Sequence, residues 1–227
     1  GDALIGSQGG NGGGVSVETG FVIPLGSLDV SIQGAANGGQ AVSFGGDGGG
    51  IALLASSFQP SQFELDFTAN GGRATGGVGG DGGELQLVMP TDGAAELTGE
   101  FIGQGGSSGG AGNDGGEGGS LNIQASGFPV RLTNLTVDLT GGASDQADGG
   151  EGGTVDVQLE AMLVINGGEY ITNGGAGSTV SGTGIGGRGG AQFWATDNFD
   201  IIITGATFRG NGGNGAGGGG NGADVFE

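Results

Sequence analysis

Residues 45–53 read GGDGGGIAL and residues 115–123 read GGEGGSLNI, so a glycine-rich pentad precedes a short segment in which apolar residues alternate. The pattern recurs at intervals of 36, 34, 36, 34, 37 and 33 residues, starting at Gly9, Gly45, Gly79, Gly115, Gly149, Gly186 and Gly219. A regular repeat of this length is typical of solenoids, in which one repeat forms one coil and only stacking buries its apolar face.

The segment after each pentad has the period-2 pattern of a β-strand with one buried face. Its inward positions form a predicted core column: Val15, Ile51, Leu85, Leu121 and Val155. The outward positions between them carry small or polar residues. In the sixth repeat the alternation shifts by one residue, so we expect Phe193 to point inward there.

A second strand is expected in each repeat, before a glycine pair that often reads NGG. Large apolar residues stand four positions before that pair and form a second predicted core column: Phe67, Phe101, Val137, Tyr170 and Phe208. The first repeat carries two extra residues here, which gives Ile32 the same role. Two columns in register indicate stacked side chains in a shared core.

The composition fits a β-solenoid and excludes several function classes. Of 227 residues, 65 are glycine, and cysteine and histidine are absent, which excludes disulfides, thiolate or imidazole metal sites and histidine-dependent nucleophiles. Four arginines are the only cations and the net charge is −20, so no nucleic-acid partner is expected. No run of about 18 apolar residues occurs, so no transmembrane segment is expected.

We therefore predict an all-β fold, a glycine-rich parallel β-solenoid that forms a single domain over residues 1–227. It would have about six coils of ~35 residues, each with two short strands and a glycine-rich side. Two alternatives remain open for that side. It could consist of plain turns, or of extended, polyproline-II-like segments that pack closely because no side chains intervene.

The variable residue inside the pentad is acidic in four consecutive repeats, and acidic residues precede two of these pentads. In a parallel solenoid such residues lie about 4.8 Å apart, where like charges repel. One hypothesis is a ladder of Ca²⁺ ions, because hard cations prefer carboxylate oxygens. No other cofactor is expected. The alternative is a solvated acidic edge that favours solubility. The candidate ligands are Asp47, Asp81, Glu117, Glu151, Asp114 and Asp148.

The pentads, the alternating strands and the NGG ends resemble glycine-rich parallel β-helix repeats of secreted bacterial surface proteins, such as filamentous-haemagglutinin and autotransporter-passenger regions. The stretch ITGATFRGNGG, from Ile203 to Gly213, is the most similar to a β-helix coil. The resemblance covers nearly the whole chain. It implies an extracellular or cell-surface, structural or adhesive role, and it brings no catalytic residue.

No catalytic constellation stands out, so we expect the protein not to be an enzyme. We expect a non-enzymatic extracellular structural protein, a subunit of a self-assembling surface filament, stalk or matrix. Solenoid ends expose open strand edges, so the chain is expected to be either a piece of a longer solenoid or a homo-polymer built by end-to-end or edge strand addition. The alternative function is an adhesin or binding module for surface glycans or ice, although no outward Thr or aromatic ladder is evident.

Overall fold

The computed structural model describes residues 8–19, 28–55, 61–89, 94–180, 184–223 and 225–226. Within these ranges the structure is all-β and contains no helix. Its parallel strands stack as a β-solenoid of about five turns, which confirms the predicted fold class and roughly matches the predicted number of coils. Glycine interrupts every stretch that could have been helical, and the apolar period of two favours strands.

The strand that follows each pentad belongs to a first parallel sheet. Each strand pairs with the equivalent strands of neighbouring coils, as expected where a whole turn of chain separates partners. In spatial order its strands are β1 (Val15–Thr19), β3 (Gly50–Ala55), β5 (Glu84–Met89), β7 (Ser120–Ser126), β9 (Thr154–Glu160), β12 (Gln192–Thr196) and β15 (Val225–Phe226).

The second strand of each coil belongs to a second parallel sheet. Its strands are β2 (Leu28–Ala35), β4 (Ser61–Thr68), β6 (Ala95–Ile102), β8 (Val130–Asp138), β10 (Leu163–Asn166), β11 (Glu169–Ile171), β13 (Ile201–Thr204) and β14 (Thr207–Arg209). In the last two coils the strand is interrupted, and in β8 a bulge at Asn134 shifts the register against β6. Gly99, Asn134, Gly167, Gly168 and Gly205 have positive φ at this corner, a conformation that glycine and asparagine tolerate best.

The first predicted core column lies in register on the inner face of the first sheet, because Val15 pairs with Ile51, then Leu85, Leu121 and Val155. Four of these side chains are at most 2% exposed, whereas Val15 is 40% exposed. Val15 differs because β1 pairs with β3 alone among the described strands, so no described coil covers its outer side.

The second predicted column also lies in register, from Phe67 through Phe101, Val137 and Tyr170 to Phe208. The first four are buried and Phe208, in the last coil, is partly buried.

The prediction for Ile32 was wrong. Ile32 pairs with Leu65, and Gly34 stands opposite Phe67, because β2 and β4 pair over eight residues without a bulge. The Phe67 ring fills the space over Gly34, where a Cβ would lie 3.3 Å from its Cε2. No insertion is therefore needed to accommodate the first repeat.

The prediction of a shifted alternation in the sixth repeat was also wrong. Gln192 pairs with Val155 and Trp194 pairs with Val157, so these two side chains point inward and Phe193 points outward, 37% exposed. The register of the sheet is maintained at the cost of a polar residue in the core column. The Gln192 amide compensates by donating from Nε2 to acceptors on Tyr170, Thr172 and Arg209.

In the other half of each coil, glycine main chains of neighbouring coils pack directly against one another. The pentad and the NGG segment face each other, and a Cβ built on Gly46, Gly80 or Gly116 would overlap the carbonyl group of a glycine in the preceding coil. None of these three residues has φ in the left-handed region. Close approach of main chains, rather than conformational freedom, is therefore what excludes larger residues here.

A chain of backbone hydrogen bonds runs along this half, and we call it the glycine spine. Within the described residues it consists of twelve N–H···O bonds of 2.7–2.9 Å that alternate between pentad and NGG glycines. For example, Gly116 donates to Gly106 and accepts from Gly142. The spine residues are Gly10, Gly39, Gly46, Gly72, Gly80, Gly106, Gly116, Gly142, Gly150, Gly175, Gly187, Gly213 and Gly220.

Candidate functional site

The acidic column predicted from the pentads exists, and its first members make a ladder of side-chain-to-backbone hydrogen bonds. The Asp47 N–H donates to Asn11 Oδ1 at 3.0 Å, the Asp81 N–H to Asp47 Oδ1 at 3.1 Å, and the Glu117 N–H to Asp81 Oδ1 at 2.9 Å. A carboxylate is a strong acceptor for such a bond. These side chains therefore satisfy the main chain of the next coil.

A second, shorter ladder involves the acidic residues that precede the pentads. The Asp148 N–H donates to Asp114 Oδ1 at 3.2 Å, and the Ile185 N–H donates to Asp148 Oδ1 at 2.7 Å. The carboxylates that were candidates for calcium thus lie in two separate columns. In the described part of the chain, no group of three or more Asp or Glu side chains converges as a metal site requires.

The acidic column ends where its charge is reversed. Glu117 and Glu151 are exposed, and the next coil carries the exposed Arg188 at the same position of the pentad. A surface depression runs between the two acidic columns over the glycines of the last pentads.

A third ladder lies at the NGG positions, and its hydrogen-bonding role was not predicted from the sequence. The Asn70 N–H donates to Asn37 Oδ1, the Gln104 N–H donates to Asn70 Oδ1, and the Asn211 N–H donates to Asn173 Oδ1, each at 2.8 Å. The recurrence of Asn directly before the glycine pair was the available signal. In the fourth coil Thr140 stands directly before the glycine pair, and Asp138 accepts hydrogen bonds from the Thr140 N–H and hydroxyl and from Gln104 Nε2.

The only Trp and the only Tyr of the chain are core residues. Tyr170 stacks on Phe208 with ring centroids 5.3 Å apart, and the Trp194 ring meets the Tyr170 ring edge-on at 5.1 Å. Burial raises the pKa of the Tyr170 phenol above its usual range. Beside this cluster the Arg209 guanidinium pairs with Glu169 at 2.9 Å.

The outer face of the first sheet carries a depression near the ends of β5, β7, β9 and β12. Two amides in register, Gln124 and Gln158, lie on it between Val88 and Ala195, and the exposed Phe193 closes one side. The Gln158 Nε2 donates to both carboxylate oxygens of Asp156 at 3.0 Å. The Gln158 carbonyl and the Gln124 amide lie beside the aromatic ring, which suits a ligand with both hydroxyl groups and apolar faces.

The last coil has an apolar edge. In β10, Leu163 and Ile165 are fully buried, but Ile203, which pairs with Ile165, is 44% exposed. The cause is that β13 pairs with β10 and with no further strand in the described part of the chain. Ile203 has the inward orientation of its column, so the edge exposes core positions rather than ordinary surface.

Comparison with family models, with curated proteins and with solved structures finds no match for the chain. Among the residues that the structure describes, no helix is long and apolar enough to cross a membrane.

Proposed function

We propose that this chain is a non-enzymatic extracellular structural protein, a subunit of a self-assembling surface filament or stalk. The proposal rests on the open apolar edge of the last coil. The inward-facing Ile203 is 44% exposed, and its strand β13 has main-chain groups free for pairing on one side in the described structure.

A second copy of the chain is the occupant that fits this edge. All strands of the solenoid are parallel and stacked, so a first coil placed on a last coil would continue both sheets without a change of direction. The first coil offers the matching surface, because Val15 is 40% exposed in the inward position of β1. Such head-to-tail contacts generate open filaments rather than closed rings when the rotation per subunit does not close.

The remaining parts of the proposal rest on composition and resemblance. A chain with no cysteine or histidine has few groups for catalysis. The resemblance to parallel β-helices of secreted bacterial surface proteins favours an extracellular or cell-surface location. Surface localisation is tested by whether protease added to intact cells of the source degrades the protein.

Assembly is tested by sedimentation and negative-stain electron microscopy of the purified 227-residue chain. We expect rods of constant width and variable length. The variant Ile203→Asp should abolish them, because it places a charge on the exposed core positions of the edge. Ile202→Asp is the matched control, because Ile202 lies on the same strand, is equally exposed and pairs with the outward Val164. Monomers only, for the unmodified chain, would contradict the proposal.

The alternative function is an adhesin or binding module for surface glycans, and the depression beside Gln124, Gln158 and Phe193 favours it. Amides pair with sugar hydroxyls, and an exposed aromatic ring can stack on a sugar ring. Binding to a panel of neutral oligosaccharides that is lost in Phe193→Ala and in Gln158→Ala would support it. A measurement of thermal hysteresis tests the ice-binding form of the same alternative.

A further inference from the structure

Eight Asn–Gly dipeptides occur in the chain, and this dipeptide can modify itself. The glycine nitrogen attacks the Asn side-chain carbon Cγ, the N–H proton is lost, and ammonia leaves as a five-membered succinimide closes. Water then opens the ring to aspartate or to isoaspartate. Glycine favours the attack because it has no Cβ to obstruct it. The eight Asn residues are Asn11, Asn37, Asn70, Asn166, Asn173, Asn211, Asn214 and Asn221.

In five of these dipeptides the attacking nitrogen is held by the next coil. Its N–H donates to a backbone carbonyl of the following coil at 2.7–2.8 Å, which directs the nitrogen away from its own side chain. The donors and acceptors are Gly12 to Asp47, Gly38 to Asn70, Gly71 to Gln104, Gly167 to Thr204, and Gly174 to Asn211.

In four of the same five dipeptides the Asn side chain is held as well. Asn11, Asn37, Asn70 and Asn173 each accept a backbone N–H of the next coil through Oδ1, at 2.8–3.0 Å. Both reacting groups are therefore fixed by the stack. The succinimide cannot close unless two coils separate locally, and such openings are rare in a packed core.

The three dipeptides of the last coil lack both restraints. In the described part of the chain, Gly212, Gly215 and Gly222 donate no hydrogen bond from their backbone nitrogens, and the side chains of Asn211, Asn214 and Asn221 make none. Exposure does not separate the two groups, because Asn11, Asn37 and Asn166 are exposed, like the last three. The restraint from the next coil is what distinguishes them.

We propose that Asn211, Asn214 and Asn221 form a self-modification site that converts to aspartate and isoaspartate in the folded 227-residue chain, while the other five Asn–Gly dipeptides react far more slowly. Each conversion releases one ammonia, consumes one water and adds one negative charge to the last coil. The isoaspartate product also adds a methylene to the main chain, which disturbs the register for any strand that pairs there. The inference does not depend on the proposed function.

The test is peptide mapping by mass spectrometry after incubation of the folded 227-residue chain at mildly alkaline pH in ¹⁸O-labelled water. We expect isoaspartate and aspartate at residues 211, 214 and 221 to accumulate at least about tenfold faster than at residues 11, 37, 70, 166 and 173. The same chain in urea is the reference, and there all eight sites should react at similar rates. Circular dichroism before and after incubation verifies that the chain remained folded.

Equal rates at the last-coil sites and at the restrained sites of the folded chain would overturn the proposal. Faster reaction at the restrained sites would overturn it as well. Measuring the reaction rates at several protein concentrations separates this inference from filament assembly. If copies stack on the last coil, reaction at residues 211, 214 and 221 slows as protein concentration rises. Rates independent of concentration would count against assembly while the contrast at low concentration still supports the self-modification site.

Discussion

In the strand half of each coil, side chains such as Leu97 and Leu121 fill the space between two sheets and are fully buried. In the glycine half there is no such layer, because Gly80 and Gly116 approach until their main chains touch. The strand half excludes water with apolar side chains. The glycine half excludes water with main-chain N–H and C=O groups that hydrogen-bond to one another along the glycine spine.

The difference predicts opposite responses to mutation. A methyl group removed from the strand half leaves a cavity, whereas a methyl group added to the glycine half has no space to enter. The hydrogen-bonded packing of the glycine half also explains how a chain with so much glycine can fold. The glycines lose much conformational entropy on folding, but the spine gives each coil hydrogen bonds to both of its neighbours.

The largest effect is expected for Gly116→Ala. Its Cβ would overlap the Gly80 carbonyl in the middle of the stack, where rigid main chain cannot move aside. We expect the free energy of unfolding to fall by about 3 kcal/mol or more in urea titration. Gly13→Ala is the control, because no atom of the described residues lies within 4 Å of the added Cβ, and its free energy of unfolding should be unchanged or raised by up to about 1 kcal/mol. Equal effects of the two substitutions would show that main-chain contact does not decide stability.

The next effect concerns the strand half, where Val155 and Val15 occupy the same column at different exposures. Val155→Ala should cost about 2 kcal/mol, because it removes buried methyl groups and leaves a cavity. Val15→Ala removes the same atoms from a side chain that is 40% exposed, so it should cost clearly less. Thermal unfolding of the two variants gives the comparison, and a larger loss for Val15→Ala would contradict the assignment of the core.

A smaller effect is expected at the boundary between the halves, where the Asn70 carbonyl Oδ1 accepts the Gln104 N–H. Asn70→Ala should cost about 1 kcal/mol, because it leaves that donor without its partner. Asn70→Asp keeps the acceptor and should recover most of the loss. Asn214→Ala, whose side chain makes no hydrogen bond in the described structure, should change stability by less than about 0.5 kcal/mol. Chemical denaturation of all three variants measures the differences.

The smallest effect is expected from cations. With a net charge of −20, the chain should gain about 0.5 kcal/mol when ionic strength rises from low to physiological values. Because the acidic side chains are separated into two ladders, CaCl₂ and NaCl at equal ionic strength should have the same effect on the melting temperature. A selective shift with Ca²⁺ and heat in a calorimetric titration would restore the calcium hypothesis.

The fold class and both core columns followed from the repeat, because a solenoid turns a linear period into stacked contacts. The register could not be predicted where a local pattern and the stack disagreed. Phe193 matched the apolar pattern, but the sheet placed Gln192 in the core position because shifting one strand would break its pairing with β9. The acids of the pentads were identifiable as a column, but their hydrogen bonds to the next coil depend on side-chain geometry that spacing alone does not specify.

The most direct test of the central claim is native-state hydrogen exchange measured by NMR, residue by residue. If the glycine half is a packed core, the amides of Gly80, Gly106, Gly116 and Gly142 should exchange within about tenfold of the rates of Leu97 and Leu121, because all open only with the whole coil stack. Exchange of these glycines near the rates of an unstructured chain, while the strand amides stay protected, would contradict the account and leave the glycine half as mobile connections.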